Sequence, residues 1–281
     1  MKKTIIWGIL LVICVCISGI HIFQGFNDEE NKQFVGYEEA STKPVSGVIG
    51  WGIKRNKDGK SPDADPGAPA LLAKYESLYL GNPNEKKIYL TFDEGYENGY
   101  TEQILDVLKT NGVKAIFFIT GDYLESSPDL VRRMTEEGHE VGNHTYNHPS
   151  LPTCTQAKIE EELLSLDRSY SQKFGKSMRF LRPPKGEYND FSLSVSKNLG
   201  YTNVFWSFAY ADWDVNKQKG TEYAYKMVME NLHNGAVLLL HAVSKDNANA
   251  LDSILKGAKE AGYTFGTADD LWEYAKVFGK N

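Results

Sequence analysis

Lys87-Ile88-Tyr89-Leu90-Thr91-Phe92-Asp93-Glu94-Gly95 decides how this chain folds. Residues 88–92 are a short run of β-branched, aliphatic and aromatic side chains, the composition of a buried strand. The run ends on two adjacent carboxylates and a glycine. A helical pattern follows over 101–111, with Ile104, Leu105 and Leu108 on one face and Gly112 as its stop. The alternation then repeats. Strands are expected at 114–120, 139–143, 180–182, 203–207, 236–240 and 263–267. Helices are expected after Ser126-Ser127-Pro128 as far as Gly138, and at 156–174, 191–199, 222–232, 248–261 and 269–277. About seven strands alternating with helices at this spacing imply parallel βαβ units. An α/β fold of either kind satisfies that count, an open doubly wound sheet or a barrel. In both, the active face lies at the C-terminal ends of the strands.

Upstream the pattern is different. Lys2 and Lys3 precede an apolar stretch from Ile5 to Phe23 whose polar interruptions are Ser18 and His21. At about 18–19 residues it just spans a hydrocarbon core. The lysines come before it and Asp28, Glu29 and Glu30 after it, which puts the N-terminus in the cytosol and the rest of the chain outside. Residues 1–24 are therefore expected to be a single-pass transmembrane anchor. A cleaved signal peptide, giving a secreted protein, is the alternative; no evident A-x-A site supports it. Residues 25–85 read as a stalk and an N-terminal wrap. The segment 27–40 is acidic and polar, and 61–69 holds three prolines. Trp51 and Ile53 are expected to dock the wrap, and 67–79 carries a helical pattern. Residues 86–277 form the main domain.

The bulk composition agrees with one large domain and an appendage. The chain has 281 residues, and 41% of them are hydrophobic, enough for a sizeable core. Its net charge of −6 argues against a nucleic-acid partner, which favours basic surfaces. Cys154 is the one cysteine outside the anchor, so no disulfide to another external cysteine is available.

Polar residues collect at the expected strand ends. Asp93 and Glu94 follow the first strand, and His144 and His148 the third. Arg182 ends a short strand and runs into Pro183-Pro184-Lys185-Gly186. Asp212 lies in the loop after 203–207, and His241 follows Leu238-Leu239-Leu240. Each has a plainer reading alone: a solvated turn, a structural ion pair, a satisfied core histidine. His144 and His148 stand four apart, a metal-site spacing on a helix, but Pro149 disfavours helical geometry at His148 and points to a tight loop or a single turn. Joint occurrence on one rim is what points to chemistry.

Thr91-Phe92-Asp93-Glu94-Gly95, His144-Thr145-Tyr146-Asn147-His148, Arg182-Pro183-Pro184, Asp212-Trp213 and Leu240-His241 stand in the order of the polysaccharide deacetylase (NodB-homology) motifs, which the chain resembles over about residues 86–275. It is most similar to the delta-lactam-biosynthetic de-N-acetylases of spore formers, through the run from Lys87 to Asp93, the segment Gly95-Tyr96-Glu97-Asn98-Gly99-Tyr100-Thr101, and Leu239 to Ala248. The resemblance implies a distorted (β/α) barrel. It implies removal of the acetyl group of N-acetylmuramic acid in peptidoglycan, on glycan strands after stem-peptide removal, toward the muramic lactam of spore cortex. N-acetylglucosamine deacetylation and a degenerate glycan-binding module are the alternatives.

Roles follow from the same resemblance. His144 and His148 would hold a divalent metal ion, zinc before cobalt or manganese. Glu94 stands where the family usually has an aspartate ligand, and strand alternation works against Asp93 and Glu94 sharing a site. Asp93 would be the general base, held by Arg182. His241 would be the general acid, oriented by Asp212. The Lys185 backbone N–H would serve the oxyanion, at a position where the family usually has an aromatic residue. Trp213 reads as a pocket wall. Tyr188, Trp206 and Tyr210 are candidates for stacking on sugar.

Overall fold

The computed structural model describes residues 47–278. The anchor expected at 1–24, and the stalk as far as residue 46, lie outside the described residues. Among the described residues no helix is long and apolar enough to cross a membrane.

Six strands lie side by side, all parallel: β1 (Lys87–Glu94), β2 (Ala115–Ile119), β3 (Glu140–Asn143), β4 (Phe180–Leu181), β5 (Thr202–Asn203) and β6 (Val237–His241). Their order is β6-β1-β2-β3-β4-β5, and β7 (Thr264–Phe265) pairs with the start of β1 on the edge that β2 occupies further along, Thr264 and Gly266 donating to the carbonyls of Lys86 and Ile88. The two ends of the row meet through a single parallel bridge, Phe208 to Leu238. The architecture is thus a parallel α/β half-barrel, bridged at its seam where a closed barrel would have a ladder.

The seam has a physical cause. The expected strand at 203–207 is two residues long because the chain beyond it gives its carbonyls to side chains. Arg182 donates to the oxygens of Val204 and Phe205, and the Trp51 indole donates to that of Trp206. The expected helix at 67–79 is shorter for a related reason. Helix α1 (Ala68–Lys74) stops so that Leu78 can run beside Val204, its N–H donating to Asn203 and its carbonyl accepting from Phe205.

The remaining helices are α2 (Thr101–Asn111), α3 (Gly121–Ser126), α4 (Pro128–Glu136), α5 (Gln156–Phe174), α6 (Asp190–Asn198), α7 (Thr221–Met229), α8 (Lys245–Glu260) and α9 (Ala268–Phe278). Of these α3 had no signal in the apolar pattern. It is a single turn and a half, started by Thr120, whose hydroxyl accepts the Tyr123 N–H.

Strand alternation sorts the core into two layers. Tyr89, Ile116, Phe118, Phe180, Val204 and Val237 fill the inside, with Leu271 and Ala275 of α9. Leu90, Phe92, Phe117, Ile119, Val141, Leu238 and Leu240 face outward under the helices. Burying each such side chain stabilises by roughly 1.5–3 kcal/mol, so packing rather than ladder length holds the two-residue strands β4 and β5. Gly142 is required by this packing: a Cβ there would sit 2.6 Å from the Phe118 ring.

The N-terminal wrap docks through Trp51, packed against Tyr79, Tyr188 and Phe205. Its N–H donates to Gly186. Gly186 has φ +66, and a Cβ would meet Trp206 at 2.6 Å and Trp51 at 3.1 Å.

Candidate active site

The layer rule places Asp93 and Glu94 on opposite faces. Asp93 pairs in register with His241 on one side and Phe118 on the other, so all three project inward at the C-terminal rim. Arg182 follows β4 and is fully buried, its guanidinium 4.3 Å above the Phe118 ring. Nη1 donates to Asp93 Oδ1 at 2.9 Å, and Nε to the Val204 carbonyl at 2.9 Å. The carboxylate is thereby clamped by a cation that is itself fixed.

Glu94 points the other way. It pairs with Ile119 of the outer layer, is 0% exposed, and neither carboxylate oxygen has a hydrogen-bond partner. Burial pushes its carboxyl well above the ordinary range, and the charges of Glu97 and Asp93 add to the effect. Glu94 is therefore removed from the candidate ligands. The strand stays regular through residue 94, so no turn brings both carboxylates to one side.

The segment after β3 is a tight loop. Thr145 and His148 have φ +66 and +57, in the left-handed region. The Asn143 side chain accepts the Thr145 N–H, the Thr145 hydroxyl accepts the His148 N–H, and Glu162 accepts from Asn147. These bonds hold the strained loop, which presents both imidazoles with ring centroids 4.8 Å apart. His144 Nδ1 lies 2.8 Å from the Arg182 carbonyl. A carbonyl only accepts, so Nδ1 carries the proton and Nε2 is left as a bare lone pair, 3.6 Å from Asp93 Oδ2. Burial lowers His144 to about 4, against the opposing pull of Asp93, and burial lowers His148 as well.

His241 and Asp212 form the facing pair. Asp212 is 1% exposed; Oδ1 accepts His241 Nδ1 at 2.7 Å, and Oδ2 accepts the His241 backbone N–H at 2.9 Å. Burial disfavours the imidazolium, but the Asp212 charge and hydrogen bond outweigh it and raise His241 above the ordinary histidine value. Asn247 at the start of α8 donates to Asp212 at 2.5 Å, and Tyr210 hydrogen-bonds to Asn247 in turn.

Asp93, His144, His148 and His241 line one pocket of about 530 Å³ with Tyr96, Lys185, Gly186, Trp206, Tyr210, Trp213 and Val243, while Arg182, Asp212 and Asn247 stand behind them. Lys185 has φ +59 in the turn Pro184–Gly186. Trp213 is 56% exposed at the rim, its ring 6.0 Å from that of His241. Trp206 and Tyr210 also line it. Tyr188 does not: it is 1% exposed, packed on Trp51 and Phe205, and is removed from the sugar-contacting candidates. Asn247 and Tyr96 were not singled out as site residues from sequence. Both lie in segments that carried the family resemblance, the only signal that could have found them.

Among the described residues, no group of three or more His, Cys, Asp or Glu side chains is arranged to hold a metal ion. The nearest approach to one is a pair of imidazoles, His144 with a bare Nε2 set by its tautomer and His148, with the Asp93 carboxylate 3.6 Å from that nitrogen.

The polysaccharide deacetylase family matches residues 80–204. The chain is 48% identical over 224 residues to the peptidoglycan-N-acetylmuramic acid deacetylase PdaA of Bacillus subtilis, covering 79% of this chain and 85% of that one. The structure of that protein, a family 4 carbohydrate esterase, superposes with a TM-score of 0.79 at 47% identity, covering 80% and 97% of the two chains. A family 4 carbohydrate esterase from Bacillus anthracis gives a TM-score of 0.68 at 41% identity, covering 81% and 97%. A peptidoglycan-N-acetylglucosamine deacetylase of Bacillus cereus is 36% identical over 196 residues, covering 68% and 90%. The chain belongs to the polysaccharide deacetylase family and is a hydrolase of the carbohydrate esterase class.

Proposed function

We propose that this protein hydrolyses the N-acetyl group of N-acetylmuramic acid in peptidoglycan, releasing acetate and leaving a free amine, toward the muramic lactam of spore cortex. The observation that carries the reading is the pairing of two prepared groups across one pocket: Asp93 clamped by Arg182, and His241 held by Asp212. One is a fixed carboxylate base and the other an imidazole with raised proton affinity, the two partners an amide hydrolysis needs. Family membership and the similarity to PdaA support the reaction class.

The sugar is supported by Lys185. Its ammonium belongs to a pocket-lining residue and has no ion pair or hydrogen bond among the described residues. N-acetylmuramic acid differs from N-acetylglucosamine by a 3-O-lactyl group, whose carboxylate is free once the stem peptide is removed. An unpaired cation beside the reacting centre suits that carboxylate.

His144 and His148 would hold the divalent ion, zinc before cobalt or manganese. Such an ion polarises the amide carbonyl and acidifies water when bound. The remaining work falls to the chain. Asp93 takes the proton of the attacking water, and Arg182 keeps Asp93 aimed. The Lys185 backbone N–H donates to the oxyanion. His241 gives its proton to the nitrogen as the C–N bond breaks, leaving acetate and the sugar amine. Asp212 holds the His241 ring through Nδ1, so Nε2 is the nitrogen free to transfer the proton. Trp213 walls the pocket.

We place the enzyme on the outer side of a membrane, anchored by residues 1–24, on the charge asymmetry around that stretch. Protease added to intact protoplasts should remove the catalytic domain; a domain protected until lysis contradicts the topology. The activity is tested by acetate release from peptide-free glycan strands. Parent protein should release acetate and Asp93→Asn should not. No release by the parent with zinc, cobalt or manganese supplied contradicts the reading.

A further inference from the structure

The loop between β1 and α2 is built more rigidly than its exposure requires. Glu97 spends both oxygens inside it. Oε1 accepts the N–H groups of Gly99 and Tyr100 at 2.5 and 3.0 Å, and Oε2 accepts the hydroxyls of Thr101 and Tyr123 at 2.5 and 3.1 Å. Asn98 ties the loop across the rim, donating to the Val243 carbonyl at 2.9 Å, just beyond His241. Tyr96 stands just before the braced residues 97–101 and is 48% exposed at the pocket edge. The ring has no hydrogen bond or aromatic partner among the described residues.

A second hollow of about 450 Å³ adjoins the catalytic pocket, and Gly95 and His148 line both. Asp122 and Glu125 of α3, with Thr120, Tyr146 and Asn147, complete it. Tyr96 follows the shared Gly95, so it stands next to the junction. The two hollows differ in charge. The catalytic pocket carries the Lys185 cation as well as the Asp93 carboxylate, whereas the second carries two carboxylates and no Lys or Arg among its lining residues.

We propose that Tyr96 is the platform for the sugar next to the one being deacetylated, and that this neighbour lies in the second hollow. This deepens the functional reading above and rests on it. In a peptidoglycan strand the neighbour of a muramic residue is N-acetylglucosamine, which has hydroxyls and no carboxylate. The Asp122 carboxylate accepts from sugar hydroxyls and repels a lactyl carboxylate. A muramic residue is therefore favoured beside Lys185 and its uncharged neighbour beside Asp122. The charge difference reads the alternation of the strand and sets which sugar enters the catalytic pocket. An exposed aromatic ring held by a stiff backbone gives a sugar face an apolar surface without ordering a loop at each encounter.

The test is substrate-length dependence. Parent, Tyr96→Ala, Tyr96→Phe and Asp122→Asn proteins are assayed for acetate release on peptide-free strand fragments from the shortest accepted length to a hexasaccharide. In the parent, kcat/KM should rise with length. Tyr96→Ala should shrink that rise by roughly 3–10-fold, the scale of one aromatic contact, through KM rather than kcat, while Tyr96→Phe retains it. Asp122→Asn should increase acetate release from N-acetylglucosamine relative to N-acetylmuramic acid. An unchanged length dependence in Tyr96→Ala overturns the proposal, as does a loss that is equal at every length. A parent that releases no acetate from any fragment overturns the functional reading instead, so the two failures are distinct.

Discussion

Glu94→Gln separates the two accounts of the first motif. Were Glu94 a metal ligand, the amide would weaken ion binding and lower turnover. The structure puts its carboxyl in the outer layer, 0% exposed and unpartnered, with proton affinity raised by burial. Folding then takes up a proton wherever the pH lies above the ordinary glutamate value of 4.5 and below the raised folded value. In that window the folded state binds one proton more than the unfolded state, so stability falls as pH rises, by up to about 1.4 kcal/mol per pH unit. Glutamine does not titrate and lacks this slope. Urea melts of parent and Glu94→Gln from about pH 5 to about pH 8 should show the variant gaining on the parent as pH rises. Metal titration should give the two proteins the same affinity, while His144→Ala binds far more weakly. Parallel stability curves, or a loss of affinity in Glu94→Gln, would refute the placement of Glu94 and return it to the ligand set.

Other expectations are checked as readily. His241→Ala should keep the fold and lose roughly 10²–10⁴-fold in kcat; activity within a few-fold of the parent would make His241 a core histidine. Gly142→Ala forces a Cβ to 2.6 Å from the Phe118 ring beneath Arg182, and thermal melts should show a cost of about 1–3 kcal/mol. Burial lowers both His139 and His144 to about 4, so the unfolded chain binds more protons than the folded one below the ordinary histidine value of 6.5. Stability should therefore drop as pH falls from about 6.5 to about 4, and His139→Gln should flatten part of that drop.

What the sequence made legible was the part written in period and order. The strand 88–92, the helices at 101–111 and 156–174, and the terminal helix carry enough apolar repeats to be read directly, and the strand-end rule then collects Asp93, His144, Arg182 and His241 on one rim. Alternation alone argued that Glu94 faces away from Asp93, and the unbroken strand through residue 94 is the reason it does. Other features were not legible, because they depend on partners distant in the chain. The strand at 203–207 reads as continuous until Arg182 and Trp51 claim its carbonyls. Tyr188 reads as a sugar contact until the N-terminal wrap covers it with Trp51. Helix α3 depends on one hydroxyl cap, and Asn247 is an ordinary helix-start residue until Asp212 is seen beside it.

The most direct test is the identity of the sugar that loses its acetyl group. Peptide-free peptidoglycan strands carrying both N-acetyl sugars should be incubated with the metal-supplemented protein and analysed by mass spectrometry after cleavage to defined fragments. The account predicts free amine on muramic residues, with N-acetylglucosamine left intact, and none of either with Asp93→Asn. Deacetylation confined to N-acetylglucosamine would contradict the assignment of Lys185 and the proposed substrate. Strands recovered fully acetylated would contradict the catalytic reading of Asp93 and His241 itself.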